Sequence, residues 1–139
     1  MTEKKVVFTS VVADLFHYGH LELLRRCKLI GDVLIVGVIK DTEVLRYKNR
    51  LPVIPFEQRF EIIKQIKFVD KVLSQDSRDG SANLKKLGKV DYLVRGDDAI
   101  LPDEVETIKL LGGEFIQLKR TPDISTTEIM EKIKIDYRE

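Results

Sequence analysis

The sequence predicts an α/β fold of three layers, in which helices cover both faces of a mostly parallel five-stranded sheet. The chain has 139 residues, which suits one domain with a sizeable core. Several short segments are continuously apolar and β-branched, which is typical of strands buried on both faces. They alternate with amphipathic segments of helical spacing, which favours parallel strands joined by crossover helices. We therefore expect a single Rossmann-like domain over residues 1–139.

The expected strands and helices follow one another along the chain. The strands are the apolar segments at 5–13, 32–41, 70–75, 90–96 and 114–119. The helices are the amphipathic segments at 20–31, 55–69, 81–88, 102–113 and 125–134. Gly31 is a stop signal for the first helix, and Pro55 suits the first turn of the second. In that second helix, Ile62, Ile63, Ile66 and Val69 are expected to face the core. Residues 48–54 and 75–81 have the composition of loops.

Composition argues against several classes of function. The formal net charge is +1, so no overall basic field favours nucleic acid as a partner. No apolar run reaches the ~18 residues of a membrane-spanning helix. Asp14 interrupts the N-terminal apolar stretch that a signal peptide would need, so a cytoplasmic location is expected. The single cysteine, Cys27, is interpreted as a buried hydrophobic residue rather than a reactive thiol.

Unusual residues cluster where the expected strands end. Ligands of open parallel sheets bind outside the carboxyl ends of the strands, so residues far apart in sequence should converge there. The residues in question are His17, Gly19 and His20 after the first strand, Asp41 and Lys48 after the second, Arg95, Gly96, Asp97 and Asp98 after the fourth, and Arg120, Thr121, Ser125, Thr126 and Thr127 after the fifth.

The only two histidines of the chain, His17 and His20, flank Gly19 at a strand–helix junction. Glycine lets a ligand approach the backbone closely, and the unpaired N–H groups of a helix start favour a phosphate. Two imidazoles could donate hydrogen bonds to that phosphate as charge develops in a transition state. A pair of structural histidines is the plainer alternative. A zinc site that includes Asp14 is a third, although no further ligands have suitable spacing.

Two other segments carry groups that suit an anion. In RTPDISTTEI, Ser125 and Glu128 form a capping box that would begin a helix, and Arg120 adds a bidentate donor. Ordinary capping beside a surface arginine explains this segment equally well. In RYKNRLP, the cations at 46, 48 and 50 are placed in a loop, either as a solvated charge run or as a clamp over a polyphosphate. Arg59 could reach the same place from the following helix.

The remaining motifs, and the absence of others, limit the kinds of reaction that the chain could catalyse. Asp97 and Asp98 could hold Mg²⁺ through water, bond a nucleobase or simply cap the next turn. The chain lacks the G-x-x-x-x-G-K-[ST] and G-x-G-x-x-G motifs, and no side chain is evidently paired with a base as a nucleophile. Direct displacement at a phosphate needs no protein nucleophile, because positioning and charge stabilisation suffice.

Two segments carry a family resemblance. HYGH resembles the H-x-G-H signature of a nucleotidyltransferase superfamily, and RTPDISTTEI resembles the RTxGISTT signature of its cytidylyltransferase branch. That branch includes the glycerol-3-phosphate and phosphoethanolamine cytidylyltransferases. The resemblance implies that CTP, accompanied by Mg²⁺, reacts with a small phosphorylated alcohol to give a CDP-alcohol and pyrophosphate. It also implies a homodimer, and no direct side-chain ligand for the metal.

The resemblance also implies roles for individual residues. The catalytic set would be His17, His20, Lys48 and Arg120. The nucleotide-binding set would be Val12, Asp14, Gly19, Gly96, Asp97, Asp98, Thr121, Ile124, Ser125 and Thr126. The substrate-binding set would be Asp41, Lys48, Arg50 and Arg59, of which Arg59 would help to hold that region.

The chain departs from the family pattern at three places. Val11, Val12 and Ala13 replace a usual Gly-Thr-Phe, Ala99 replaces a tryptophan, and Pro122-Asp123 replaces a residue–glycine pair. The Ala-Asp-Leu variant is similar to cytidylyltransferase domains linked to phosphonate biosynthesis, so a phosphonylated alcohol is also a candidate acceptor. Two alternatives stay open: an adenylyltransferase that uses ATP, and a nucleotide-binding module that has lost catalysis.

Overall fold

A computed structural model describes residues 3–96, 100–119 and 126–136 of the chain. Its strands are β1 (Val6–Val11), β2 (Val33–Ile39), β3 (Lys71–Gln75), β4 (Tyr92–Arg95) and β5 (Glu114–Gln117). Its helices are α1 (Tyr18–Ile30), α2 (Asp41–Lys48), α3 (Phe56–Lys64), α4 (Ser81–Leu87), α5 (Pro102–Leu110) and α6 (Thr126–Asp136).

The five strands form one sheet in the order β3-β2-β1-β4-β5, and every pairing is parallel. This confirms the α/β fold with a parallel five-stranded sheet. The central strand β1 pairs with β2 on one side and with β4 on the other. The chain order reverses beside β1, and such a reversal is where open α/β sheets bind ligands.

Each face of the sheet is covered by its own helices. Side chains alternate along β1, so Val7 and Val11 lie in one core cluster and Phe8 lies in the other. The first cluster includes Leu24 and Cys27 of α1. The second includes residues of α4 and α5. Cys27 is fully buried, and burial raises the pKa of its thiol to about 12, so it is the buried hydrophobic residue that the sequence predicts.

Helix α2 was absent from the sequence prediction, which ended the second strand at Asp41 and placed Lys48 in a loop. The structure shows a helix between them whose first turn is acidic and whose last turn is basic, as the helix dipole favours. Asn49 follows in the left-handed conformation and donates its N–H to the Leu45 carbonyl, which ends the helix. Only two of its eight residues are buried, so the apolar pattern was too weak to reveal it.

Helix α3 is shorter than the expected helix at 55–69. It ends at Lys64, and Gln65 is its C-cap. Ile63 is fully buried, but Ile62 is 38% exposed, so the prediction of an inward-facing side chain is wrong for Ile62. The chain turns after α3, which carries Ile66 onto the core from a non-helical segment. No helix in the described ranges is long and apolar enough to cross a membrane.

Candidate active site

The backbone of the turn between β1 and α1 is strained, and hydrogen bonds to residues outside the turn hold it in place. Ala13 and Leu15 have φ angles of 56° and 51°, a conformation that costs an L-residue roughly 1–2 kcal/mol. Between them, the buried Asp14 carboxylate accepts the backbone N–H groups of Val53 and Ile54, at 2.8 and 2.9 Å. Strain that the surroundings hold in place is characteristic of functional turns.

The two histidines begin helix α1. His17 is the N-cap, and its Nδ1 accepts the N–H of Gly19 at 3.0 Å. The N–H of His17 in turn is donated to Nδ1 of His20 at 3.2 Å, which makes a reciprocal cap from two imidazoles. The rings stack, with their centroids 3.9 Å apart.

These hydrogen bonds determine the tautomer of each ring. An Nδ1 that accepts an N–H carries no proton, so a neutral imidazole must carry its proton on Nε2. The pKa of His20 is lowered to about 4, mainly by burial and to a smaller extent by the neighbouring His17 and Lys48, against the opposing charge of Asp14. Burial also lowers the pKa of His17, against the charge of Glu128. At neutral pH the pair therefore offers two uncharged Nε2–H donors.

The structural and functional interpretations of this pair are compatible, because they use different atoms. Each Nδ1 caps the helix, and within the described residues neither Nε2 has a hydrogen-bond acceptor. The zinc alternative gains no support, because the described ranges contain no group of three metal-ligating side chains. The Asp14 carboxylate that it needed is already bonded to the loop at Val53 and Ile54.

Of the three cations expected in a loop, two lie in helix α2 instead. Lys48 is its last residue and is close enough to His20 to lower that pKa. Arg46 donates two hydrogen bonds to the carboxylate of Glu43, so it is not part of a loop clamp. Arg50 does lie beyond the helix, and its Nη1 is 3.7 Å from Sδ of Met130.

Arg59 is fully buried and holds the turn together from within. Its guanidinium donates to the carbonyl oxygens of Ile54 and Val12, at 2.9 and 2.6 Å. It also pairs with Asp41 at 2.6 Å, whose other oxygen accepts the N–H of Phe56. These contacts place Asp41 and Arg59 in a support beneath the turn, with Arg59 out of direct reach of a substrate.

Helix α6 meets this turn across the length of the chain. The Thr126 hydroxyl donates to the carbonyl of Asp14 at 2.9 Å, and Glu128 is close enough to act on the pKa of His17. Gly96 lies at the end of β4, where its carbonyl accepts from Gln117 at 3.4 Å. The other predicted site residues lie outside the described residues; they are Asp97, Asp98, Arg120, Thr121, Ile124 and Ser125.

The Arg95 side chain is buried and does not point outward from the sheet edge. It is the last residue of β4, its side chain is 9% exposed, and it forms a two-point ion pair with the fully buried Glu104 at 2.7 Å. Sequence reasoning missed Glu104, because a glutamate in the first turn of a helix is normally explained by the helix dipole. The only sequence signal for this ion pair was the spacing of Glu104 from Arg95, and that signal is weak.

A family model described as cytidylyltransferase-like matches residues 12–132, which include the histidine turn, Lys48 and helix α6 up to residue 132. The chain belongs to the cytidylyltransferase-like family. The family assignment agrees with the resemblance carried by the HYGH and RTPDISTTEI segments.

Curated relatives in this family include two kinds of protein. An ethanolamine-phosphate cytidylyltransferase of Arabidopsis thaliana is 35% identical over 96% of this chain and 33% of its own length. The bifunctional protein HldE of Sulfurimonas denitrificans is 38% identical over 96% of this chain and 28% of its own length. The chain thus spans about a third of the length of these relatives.

Solved structures support the fold of the cytidylyltransferase-like domain. A lipopolysaccharide core biosynthesis protein of Thermoplasma volcanium matches with a TM-score of 0.71 and 23% identity, over 86% of this chain and 98% of that one. Thermotoga maritima TmcAL bound with alpha-thio ATP matches with a TM-score of 0.67 and 18% identity, over 94% of this chain and 50% of that one. At these identities the likeness concerns the fold alone.

Proposed function

We propose that this domain transfers a cytidylyl group from Mg²⁺–CTP to a small phosphorylated or phosphonylated alcohol and releases pyrophosphate. The observation that carries the proposal is the pair of neutral Nε2–H donors at the start of α1. They lie at the carboxyl edge of the sheet, beside a helix N-terminus that favours a phosphate. Family membership and the ethanolamine-phosphate cytidylyltransferase relatives support the choice of reaction.

The chemistry is an in-line displacement. An oxygen of the acceptor's phosphate or phosphonate attacks the α-phosphorus of CTP and forms the new P–O bond. The bond from that phosphorus to the β-phosphate oxygen breaks, and pyrophosphate leaves with the electron pair. Negative charge shifts toward the leaving group, and hydrogen-bond donors placed there stabilise the transition state. His17 and His20 supply such donors without a proton transfer, and Lys48 adds a positive charge beside them.

Neutral donors suit this role better than imidazolium ions would. A depressed pKa keeps His20 uncharged across physiological pH, so its hydrogen bond does not depend on the proton concentration. The two Nδ1 bonds fix the ring orientations, so little reorganisation is needed at the moment of reaction. Mg²⁺ enters as part of the nucleotide substrate and needs few protein ligands, because phosphate oxygens and water complete its shell.

A pyrophosphate-release assay tests the proposal. The purified protein is incubated with Mg²⁺ and either CTP or ATP. Each nucleotide is paired with glycerol 3-phosphate, phosphoethanolamine and 2-aminoethylphosphonate in turn. We expect turnover with CTP and at least one acceptor, and a higher melting temperature in CTP than in ATP. Turnover with ATP alone would support the adenylyltransferase alternative. Tight CTP binding without turnover on any acceptor would support the impaired binding module.

A further inference from the structure

An arginine outside the predicted site shares an aromatic ring with Lys48. Arg78 belongs to the segment between β3 and α4, and its guanidinium carbon lies 4.7 Å from the centre of the Tyr47 ring. The Lys48 ammonium lies 5.9 Å from the same ring centre. The Tyr47 ring therefore has two cations near it. One of them, Lys48, is close enough to His20 to lower the pKa of that histidine.

The charge of the Arg78 side chain is compensated only in part, by the Glu43 carboxylate, which acts on it from beyond ion-pair distance. Among the described residues, no carboxylate lies within ion-pair distance of its guanidinium. The nearby Glu43 carboxylate accepts from the Arg46 guanidinium and from the backbone N–H of Arg78, at 2.6 to 2.8 Å. Two cations near one ring repel each other, and an anion bound close to both would reduce that repulsion.

The backbone of Arg78 is held by an unusual set of buried polar groups. Its carbonyl accepts from Arg95 at 2.7 Å and from Gln75 at 3.2 Å. Glu104 bonds both Arg95 and the N–H of Gly80. A buried ion pair adds little net stability compared with apolar packing, so these residues are better explained by the geometry that they impose. That geometry orients the segment from which Arg78 reaches Tyr47.

The surroundings of Gly80 show how closely the segment between β3 and α4 packs against the sheet. A Cβ at Gly80 would lie 3.1 Å from the Phe8 ring and 3.3 Å from both Ser10 Oγ and Glu104 Oε1. Ser10 also donates to Gln75 at 2.8 Å, so the central strand takes part in the same support. Arg78 is therefore presented by a segment packed against the core.

We propose that Arg78, with Tyr47 as its platform, binds the phosphoryl or phosphonyl group of the acceptor next to Lys48. The inference rests on the proposed function and adds an acceptor-binding residue to it. A planar guanidinium can donate two parallel hydrogen bonds to such a group, while Lys48 supplies a point charge. Gln75, Arg95 and Glu104 act as positioning residues for Arg78.

Steady-state kinetics of three variants test the proposal in the pyrophosphate-release assay. Arg78→Gln removes the charge, and we expect the acceptor KM to rise about tenfold or more, the scale of one lost charged hydrogen bond. The KM for CTP should change less than about twofold. Arg78→Lys keeps the charge and should recover part of the loss. Lys85→Gln removes the same charge from an exposed position of α4 and should behave as wild type.

The outcomes separate this inference from the proposed function. If wild type shows no turnover with CTP, the proposed function is wrong. If wild type turns over and Arg78→Gln leaves the acceptor KM unchanged, Arg78 does not bind the acceptor. A matching rise in the KM for CTP with an unchanged acceptor KM would place Arg78 on the triphosphate and overturn the assignment.

Discussion

The histidine cap and the support of Arg78, on the two sides of the candidate site, differ in how far apart in sequence their contacts reach. On the histidine side, the ring nitrogens bond backbone N–H groups only two or three residues away. On the Arg78 side, most of the polar contacts join residues between 9 and 65 positions apart, from Arg95–Glu104 to Ser10–Gln75, and the bond from Gln75 to the Arg78 carbonyl is local. The histidine cap is local, although the turn before it is also held by long-range contacts of Asp14. The support of Arg78 exists only when three strands and two helices are already assembled.

This difference has an energetic consequence. A helix cap contributes about 1 kcal/mol to stability, and its loss leaves backbone N–H groups that water can reach. A buried ion pair that loses one partner leaves a charge in the protein interior, and the penalty is several times larger. Substitutions on the histidine side should therefore act mainly on turnover, whereas those on the Arg95–Glu104 side should act first on folding.

The largest expected effect is on stability, from Glu104→Leu. The substitution leaves the buried Arg95 guanidinium without its counter-ion, so we expect the free energy of unfolding to fall by about 3–5 kcal/mol. This free energy is measured by urea denaturation, with circular dichroism as the probe of folding. Glu106→Leu on the same helix replaces an exposed glutamate and should change stability by about 0.5 kcal/mol or less. A Glu104→Leu cost below about 1 kcal/mol would show that the ion pair is dispensable.

The next effect is on turnover, from His17→Asn. Asparagine is a good N-cap, so helix α1 should keep its start and the melting temperature should change little. The Nε2–H donor is lost, and kcat should fall about a hundredfold or more in the pyrophosphate-release assay. His17→Ala loses both cap and donor, so it should match His17→Asn in kcat and also lose about 1 kcal/mol of stability. Full turnover by His17→Asn would mean that His17 serves only as a cap.

The same contrast explains what could be predicted from the sequence. The parallel sheet was predictable because its strands are continuous β-branched runs, and HYGH drew attention because the only two histidines of the chain flank a glycine at a strand–helix junction. Helix α2 was missed because its apolar face is so small, although its acidic start, basic end and Asn49 were visible. Arg78 and Glu104 could not be linked from the sequence, because their connection depends on where β3, β4 and α5 meet in space.

A smaller effect concerns pH, through His20. The pKa of His20 is about 4 in the folded chain and near 6.5 without its environment. Between these values the unfolded chain binds more protons, so the histidine contributes stability at neutral pH that is lost as pH falls from about 6.5 toward 4. His20→Gln cannot titrate. We expect wild type to lose more unfolding free energy than His20→Gln between pH 7 and pH 5. Equal losses in wild type and His20→Gln would show that the pKa of His20 is not lowered in the folded chain.

The smallest effect tests the long-range contact on the histidine side. Thr126→Val keeps the side-chain shape but removes the hydrogen bond to the Asp14 carbonyl. We expect the amides of α6 to exchange with solvent as if their opening free energy had fallen by about 1 kcal/mol, while the core strands stay unchanged. Hydrogen exchange with mass spectrometry measures this. The neighbouring Thr127 is exposed, so Thr127→Val makes the same change without that bond and should leave α6 as protected as in wild type. Equal loosening by both variants would mean that α6 is held in place by something other than its contact with the β1–α1 turn.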